Sequence, residues 1–326
     1  MNAVTYLESL THRVLAGEAI DEDDACWLAG AGPDLLDDLL AGAAAIRWRF
    51  KGQKVELCSI INAKSGACSE DCGFCSQSVH HQTNVPEYPL MGFEPIERGA
   101  REAAGWGVAR FGMVMAIRGL REGPELETVL AHIRRLQAAG EIIPDASLGL
   151  LTRPIARKLK EAGLQGYHHN LETSRSFYDT VCTTHSYEER VETVRIAKET
   201  GFYTCSGGII GMGETPEQRV ELAFTLRDLE VDSIPLNFLV PYPGTPMEDL
   251  EPLPVWEMLA TIAMFRFVHA TKDLRICGGR EARLGPAQER IFEAGANGTM
   301  IGNYLTTIGR EPAQDLTMIR QLGMTL

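Results

Sequence analysis

From Val55 onward, eight runs rich in β-branched and aromatic residues recur along the chain, separated by amphipathic stretches. The runs are VELCSII, VARFGMVMA, PDASLGL, GYHHNLE, FYTCSGGII, DSIPLNFLV, DLRICGG and TMIGNYL. Between them lie segments of helical periodicity such as ELETVLAHIRRLQAAG, YEERVETVRIAKETG and VWEMLATIAMFRFVHA. Several of these end in glycine, a common helix stop, and others begin with TPEQ or TRP, which start one. Strand–helix alternation requires parallel strands covered by helices, so the expected fold class is α/β, a (β/α)8 TIM-type barrel. A doubly wound open sheet is the alternative, and strand count alone does not separate the two. Residues 1–48 read as an N-terminal helical extension, and residues 49–326 as the barrel with a C-terminal helix. In such a barrel the chemistry belongs at the C-terminal ends of the strands.

Composition narrows the partners. Lysine and arginine number 31 against 44 acidic residues, a formal charge of −13, with no long block of like charge. That balance argues against a nucleic-acid groove or an anionic membrane as partner. There is no apolar run long enough to span a bilayer, and the N-terminus lacks the basic-then-apolar pattern of a signal peptide. A cytoplasmic location is expected. Eight cysteines in a reducing compartment point to metal or redox chemistry rather than disulfides. Cys26, in the N-terminal helices, reads as structural.

Three of the eight fall in SGACSEDCGFCSQS, as Cys68, Cys72 and Cys75, directly after the first strand. Thiolates bind iron–sulfur clusters, usually four per cluster. Three ligands leave one iron of a cubane open for a small molecule, which the adjacent Phe74 could pack against. Cys72 and Cys75 alone would suit a redox pair or half a zinc site, but that leaves Cys68 without a role and no partner pair occurs elsewhere. This loop is similar to that of the radical S-adenosylmethionine enzymes. The resemblance implies a 4Fe–4S cluster whose open iron chelates S-adenosylmethionine. Reductive cleavage then yields a 5′-deoxyadenosyl radical that takes a hydrogen atom from substrate.

Further motifs are more specific. IINAKSGACSEDCGFCSQS, GYHHNLETS, CSGGIIGMGET, DSIPLNFLVPYPGTP and RICGGRE resemble the biotin synthase family, in its order and spacing, over about residues 45–325. That resemblance implies sulfur insertion into dethiobiotin, with an auxiliary iron–sulfur cluster as donor. Strand alternation places His168, Asn170 and Glu172 on one face. By resemblance, Asn170 and Glu172 contact substrate and the cofactor ribose, and Asn237 contacts substrate. The family usually has aspartate where this chain has Glu172. His168 and His169 read as hydrogen-bonded interior histidines. Gly207, Gly208, Gly211 and Gly213 permit close backbone approach, either to the cofactor or within a tight barrel turn. A reducing electron-transfer protein and a homodimer are also implied.

The chain departs from the family pattern at the auxiliary cluster, usually held by three cysteines and an arginine. Cys205 and Arg275 match, but Gly112 and Asp145 occupy the other two cysteine positions. Cys58, Cys182 and Cys277 are additional thiols. With Cys205 they make four, the normal count for a cluster, so a re-ligated four-iron auxiliary cluster with an extra or labile sulfide is expected. Two other functions fit less of the sequence. One is a related radical enzyme of cofactor maturation or carbon-skeleton isomerisation. The other is a non-catalytic iron–sulfur or zinc-binding protein.

Overall fold

The computed structural model describes residues 2–307 and 309–326. Nine strand segments form the sheet: β1 (Glu56–Lys64), β2 (Arg110–Met115), β3 (Ile143–Ser147), β4 (Gly166–His168), β5 (Tyr203–Cys205), β6 (Gly208–Ile210), β7 (Ser233–Phe238), β8 (Asp273–Ile276) and β9 (Gly298–Met300). Their order is β5-β4-β3-β2-β1-β9-β8-β7-β6, all parallel, and Cys205 of β5 also pairs with Ser233 of β7. β5 and β6 are therefore two halves of one strand, and the pairing across them closes an eight-stranded barrel. Closure decides for the barrel over the open sheet.

The expected strands are shortened where backbone geometry ends them. GYHHNLE is a strand only through His168, and four residues on Glu172 adopts a left-handed φ of 71°. TMIGNYL stops at Met300, and Gly302, at a φ of 82°, begins the turn away. Short strands with long loops at their C-terminal ends suit a barrel whose upper rim carries the site.

Three helices precede the barrel: α1 (Ala3–Leu15), α2 (Glu22–Ala29) and α3 (Leu36–Lys51). Asn2 caps α1 through its side chain, and Asp21 with Asp24 forms a reciprocal capping box on α2. α1 packs on α3, and α2 and α3 cover the barrel helix Val255–Val268, whose residues from Met258 to Val268 are all buried. That is why its sequence is apolar on every side. Gly42 of α3 allows the approach, since a Cβ there would stand 3.0 Å from the Phe267 ring. Among the described residues no helix is long and apolar enough to cross a membrane.

Candidate active site in the barrel mouth

A cavity of about 470 Å³ opens at the C-terminal ends of the strands. Its wall draws on nearly every strand end, including Cys58, His168, Cys205, Asn237 and Cys277, and on the loop carrying Cys68, Cys72 and Cys75. The volume lies within the range of small-molecule sites, roughly 300–1,000 Å³.

The three-cysteine loop is pinned at both ends. Gln77 Oε1 accepts from Asn62 Nδ2 (3.1 Å), Ser65 Oγ (3.1 Å) and the Gly66 amide (3.2 Å), tying the loop to the end of β1. Asp71 accepts from the amides of Thr183 (2.9 Å) and Thr184 (3.1 Å), and Glu70 accepts from Thr184 Oγ1 (2.9 Å) and Arg118 (3.0 Å). Burial pushes up the Cys68 thiol, and pushes Cys75 up to about 11. Thiolate formation must therefore accompany metal binding, with proton release. Three soft donors on one rigid loop facing a single cavity fit an iron–sulfur cluster.

Beside the loop stands Arg190, which the sequence reading missed because it sits in an ordinary amphipathic helix. It is buried. It donates to Tyr178 Oη (2.8 Å) and the Asn170 carbonyl (2.9 Å) and lies 3.5 Å from Glu172 Oε1. Burial pushes the Glu172 carboxyl up, opposed by the Arg190 charge. His168, Asn170 and Glu172 all line the cavity, and so does His169, because β4 ends at His168 and the residues beyond it no longer alternate. Asn170 Oδ1 accepts from the Gly207 amide (3.2 Å), and its Nδ2 donates to Glu172 (3.3 Å). Asn237 donates to the Gly208 carbonyl (3.2 Å) and accepts from the Gly278 amide (2.8 Å). Each amide keeps one donor and one acceptor position for a ligand.

The glycines divide by cause. A Cβ on Gly207 would collide with the Pro235 carbonyl, and one on Gly208 would stand 2.5 Å from the Glu172 carbonyl oxygen. Both are required where β5 breaks into β6 against its neighbours. Neither they nor Gly211 line the cavity, whereas Ile209 between them does.

Deeper in the barrel, Cys58, Cys205 and Cys277 share the cavity wall with Arg275. Cys58 pairs with Met300 in β9 and Ile276 with Thr299, so Cys58 and Cys277 flank β9 on its two sides. Cys58 Sγ lies 3.9 Å from the Thr299 carbonyl, and the Cys277 thiol and the Arg275 charge nearby hold the Cys58 thiol below its ordinary value. Burial pushes the Cys205 thiol up to about 12. Cys182 does not join them. Its sulfur lies 3.7 Å from Cys72 Sγ and 3.2 Å from His185 Nδ1, against the outer side of the radical loop. The expected four-thiol set is thus brought together as three.

Gly112 and Asp145 are register partners on β2 and β3. Asp145 is bound by Arg110 through Nε and Nη2, both at 2.7 Å, and by His168 Nε2 at 3.1 Å.

Comparison with known proteins gives a consistent picture. The Radical SAM superfamily profile matches residues 63–226, and that of the Biotin and Thiamin Synthesis associated domain matches residues 235–325. A biotin synthase of Geobacter sulfurreducens is 50% identical over 323 residues, covering 99% of this chain and 98% of its own. Another, from Trichlorobacter lovleyi, is 49% identical over 322 residues, covering 99% and 97%. Among solved structures, methylornithine synthase superposes with a TM-score of 0.81 at 18% identity, covering 97% of this chain and 96% of its own. The FeFe-hydrogenase maturase HydG of Carboxydothermus hydrogenoformans does so at 0.79 and 14%, covering 98% and 78%. At such identities these two structures show the shared fold.

Proposed function

This chain belongs to the biotin synthase family, and from that premise we propose that its barrel holds two iron–sulfur clusters on opposite sides of the substrate. Its activity is the radical S-adenosylmethionine-dependent insertion of sulfur that converts dethiobiotin to biotin. A 4Fe–4S cluster supplies the electron that opens S-adenosylmethionine, and a second cluster supplies sulfur. On this reading Cys68, Cys72 and Cys75 hold the first. Phe74 packs against the bound cofactor, and the Glu172 carboxylate, charge-balanced by Arg190, binds the ribose hydroxyls. Close packing at Gly207 and Gly208 and the left-handed turn at Gly211 set the strand end from which Ile209 meets the cofactor. Asn170 and Asn237 use their remaining amide capacity on the ureido ring of dethiobiotin. Cys58, Cys205 and Cys277 hold the auxiliary cluster, of four-iron type, with Arg275 balancing their charge. Cys182 is assigned to the radical loop instead.

The observation that supports this most is the meeting of Cys58, Cys205, Cys277 and Arg275 on one wall of the cavity that the radical loop also lines. Conversion of Cys68, Cys72 and Cys75 together to alanine, followed by anaerobic reconstitution and iron and sulfide counting, tests it. About four irons retained per chain is the expected result. About two would indicate the smaller cluster type. None would mean that the chain carries no sulfur donor of its own. A reducing electron-transfer protein, a homodimer and a cytoplasmic setting belong to the same proposal, and light scattering in solution tests the dimer.

A further inference from the structure

The cavity at the barrel mouth has a counterpart at the other end. A groove of about 790 Å³ is lined by Ala109, Arg110, Ile143, Gln165, Gly201 and Tyr203, among others. Arg110, Ile143 and Tyr203 are the first residues of β2, β3 and β5, so the groove lies at the N-terminal ends of the strands, on the face opposite the radical loop. A barrel interior is ordinarily filled by layers of branched aliphatic side chains. Here the layer above the groove carries charge.

Two of its residues reach from the groove to the mouth cavity. Arg110, its side chain 18% exposed, donates through Nε and Nη2 to Asp145, both at 2.7 Å. Asp145 meets His168 Nε2 at 3.1 Å, and His168 lines the mouth cavity. The Tyr203 ring lies 4.2 Å from the Arg110 guanidinium. Its hydroxyl donates to Asp273 (2.7 Å) and accepts from Arg275 Nη2 (3.3 Å). Arg275 lines the mouth cavity beside Cys58, Cys205 and Cys277. Cys205 stands two residues beyond Tyr203 on the same strand face, and Cys58 is the register partner of Arg110. Glycines make room for both arginines. A Cβ on Gly166 would stand 2.8 Å from Arg110 Nη2, and one on Gly298 would stand 2.9 Å from Arg275 Cγ.

We propose that this polar floor is the port through which hydrosulfide reaches the auxiliary cluster. The inference rests on that cluster's role as sulfur donor, proposed above. A cluster that gives up sulfide must be refilled, and the radical cluster, S-adenosylmethionine and substrate fill the mouth. Arg110 at the base of the groove and Arg275 above it set two positive charges along one path, in a chain of formal charge −13. A small anion is drawn along such a path. Glu141, also on the groove wall, stands 3.5 Å from Arg101. Rotation of the Arg110 side chain off the Tyr203 ring opens the layer. Hydrosulfide loses its proton as its sulfur bonds to iron, and no electron changes hands.

The test uses the holoenzyme with both clusters, S-adenosylmethionine and dethiobiotin bound and reductant withheld, so that the mouth is filled. It is incubated anaerobically with 34S-labelled sulfide and freed of excess. One part is acidified, and the label in its released sulfide is read by mass spectrometry beside an iron count. The other part receives reductant, and the labelled fraction of the biotin formed reports the auxiliary cluster independently of rate. Ala109→Trp and Ile143→Trp each place a ring on the groove rim at an exposed position, and Val240→Trp does so at the mouth. The expected result is a several-fold lower labelled fraction in both floor variants, at unchanged iron, and the parental fraction in Val240→Trp. Equal fractions in all chains, a loss in Val240→Trp alone, or unlabelled biotin from the parent overturns the port and leaves the sulfur donor standing. Iron-loaded parent that forms no biotin overturns the sulfur-insertion reading and the port with it.

Discussion

The sulfurs of Cys72 and Cys182, separated by 110 residues in sequence, lie 3.7 Å apart behind the radical loop. Asp71 brings them together by accepting from the amides of Thr183 and Thr184 while the Gly73 amide donates to the Val181 carbonyl (2.8 Å). A small side-chain rotation brings two thiols at this separation to bonding distance, provided no cluster holds Cys72. Iron-free protein treated with hydrogen peroxide should therefore form a Cys72–Cys182 disulfide, peroxide being reduced to water as the two thiols are oxidised. Peptide mapping under non-reducing conditions reads the pairing, and Cys182→Ser should eliminate it. Recovery of Cys68–Cys75 as the dominant linked peptide would refute the expectation.

Among the described residues Arg190 is the one cation paired with the Glu172 carboxylate, at 3.5 Å, with Arg190 buried and Glu172 largely so. Removing one partner leaves an uncompensated buried charge, a loss on the order of 3–5 kcal/mol. Arg190→Met should lower urea stability by about that amount and weaken S-adenosylmethionine binding. Adding Glu172→Gln should restore part of the stability but not the binding. Full recovery of both in the double variant would show that the pair serves only the fold.

Two histidines make stability depend on pH. Burial holds the His269 imidazole down to about 3 and that of His169 well below its ordinary value. His269 Nε2 and His169 Nε2 are buried without a partner among the described residues. Both stay neutral in the fold but take up a proton when the chain unfolds below about pH 6.5. Their contribution is fully present above that pH and is lost as pH falls toward the folded values. Between pH 7.5 and 5.5 the iron-loaded protein should lose stability, by up to about 1.4 kcal/mol per pH unit for each group below its unfolded pKa. His269→Phe should flatten that slope, and an unchanged slope in urea titrations would count against it.

Gly207 owes its identity to packing. A Cβ there would collide with the Pro235 carbonyl at the break between β5 and β6. Gly207→Ala should cost about 1–3 kcal/mol through overpacking and displace Asn170, whose Oδ1 accepts from the Gly207 amide. Gly140→Ala, with no atom within 4 Å of the added Cβ, is the control for left-handed strain alone, at a φ of 68°. A smaller loss at Gly207 than at Gly140 would reverse this order.

Much of the architecture was legible because it rests on local pattern. The βα alternation and the three-cysteine loop after β1 follow from periodicity and turn chemistry, whereas the strand face expected for His168, Asn170 and Glu172 ends at His168 and His169 lines the cavity as well. Arg190 was not legible, because nothing in YEERVETVRIAKE separates a buried arginine from a solvated one until the helix is docked. The glycine-rich segment was read as a close approach either to the cofactor or within a tight barrel turn, and the atom that crowds Gly207 is the Pro235 carbonyl, on another strand.

What the sequence by itself determined is the inventory: eight strand–helix units, a radical loop with three thiols, and five further cysteines without addresses. Only the tertiary structure decided the addresses. Barrel closure and parallel register carried Cys58, Cys205 and Cys277 from distant parts of the chain to one cavity, which Arg275 also lines, with Cys58 and Cys277 flanking β9. The Asp71 staple drew Cys182 to Cys72 instead. The reason is physical. Local propensity acts over a few residues, whereas ligand sets are assembled by contacts between strands remote in sequence, whose register only the closed, packed sheet selects.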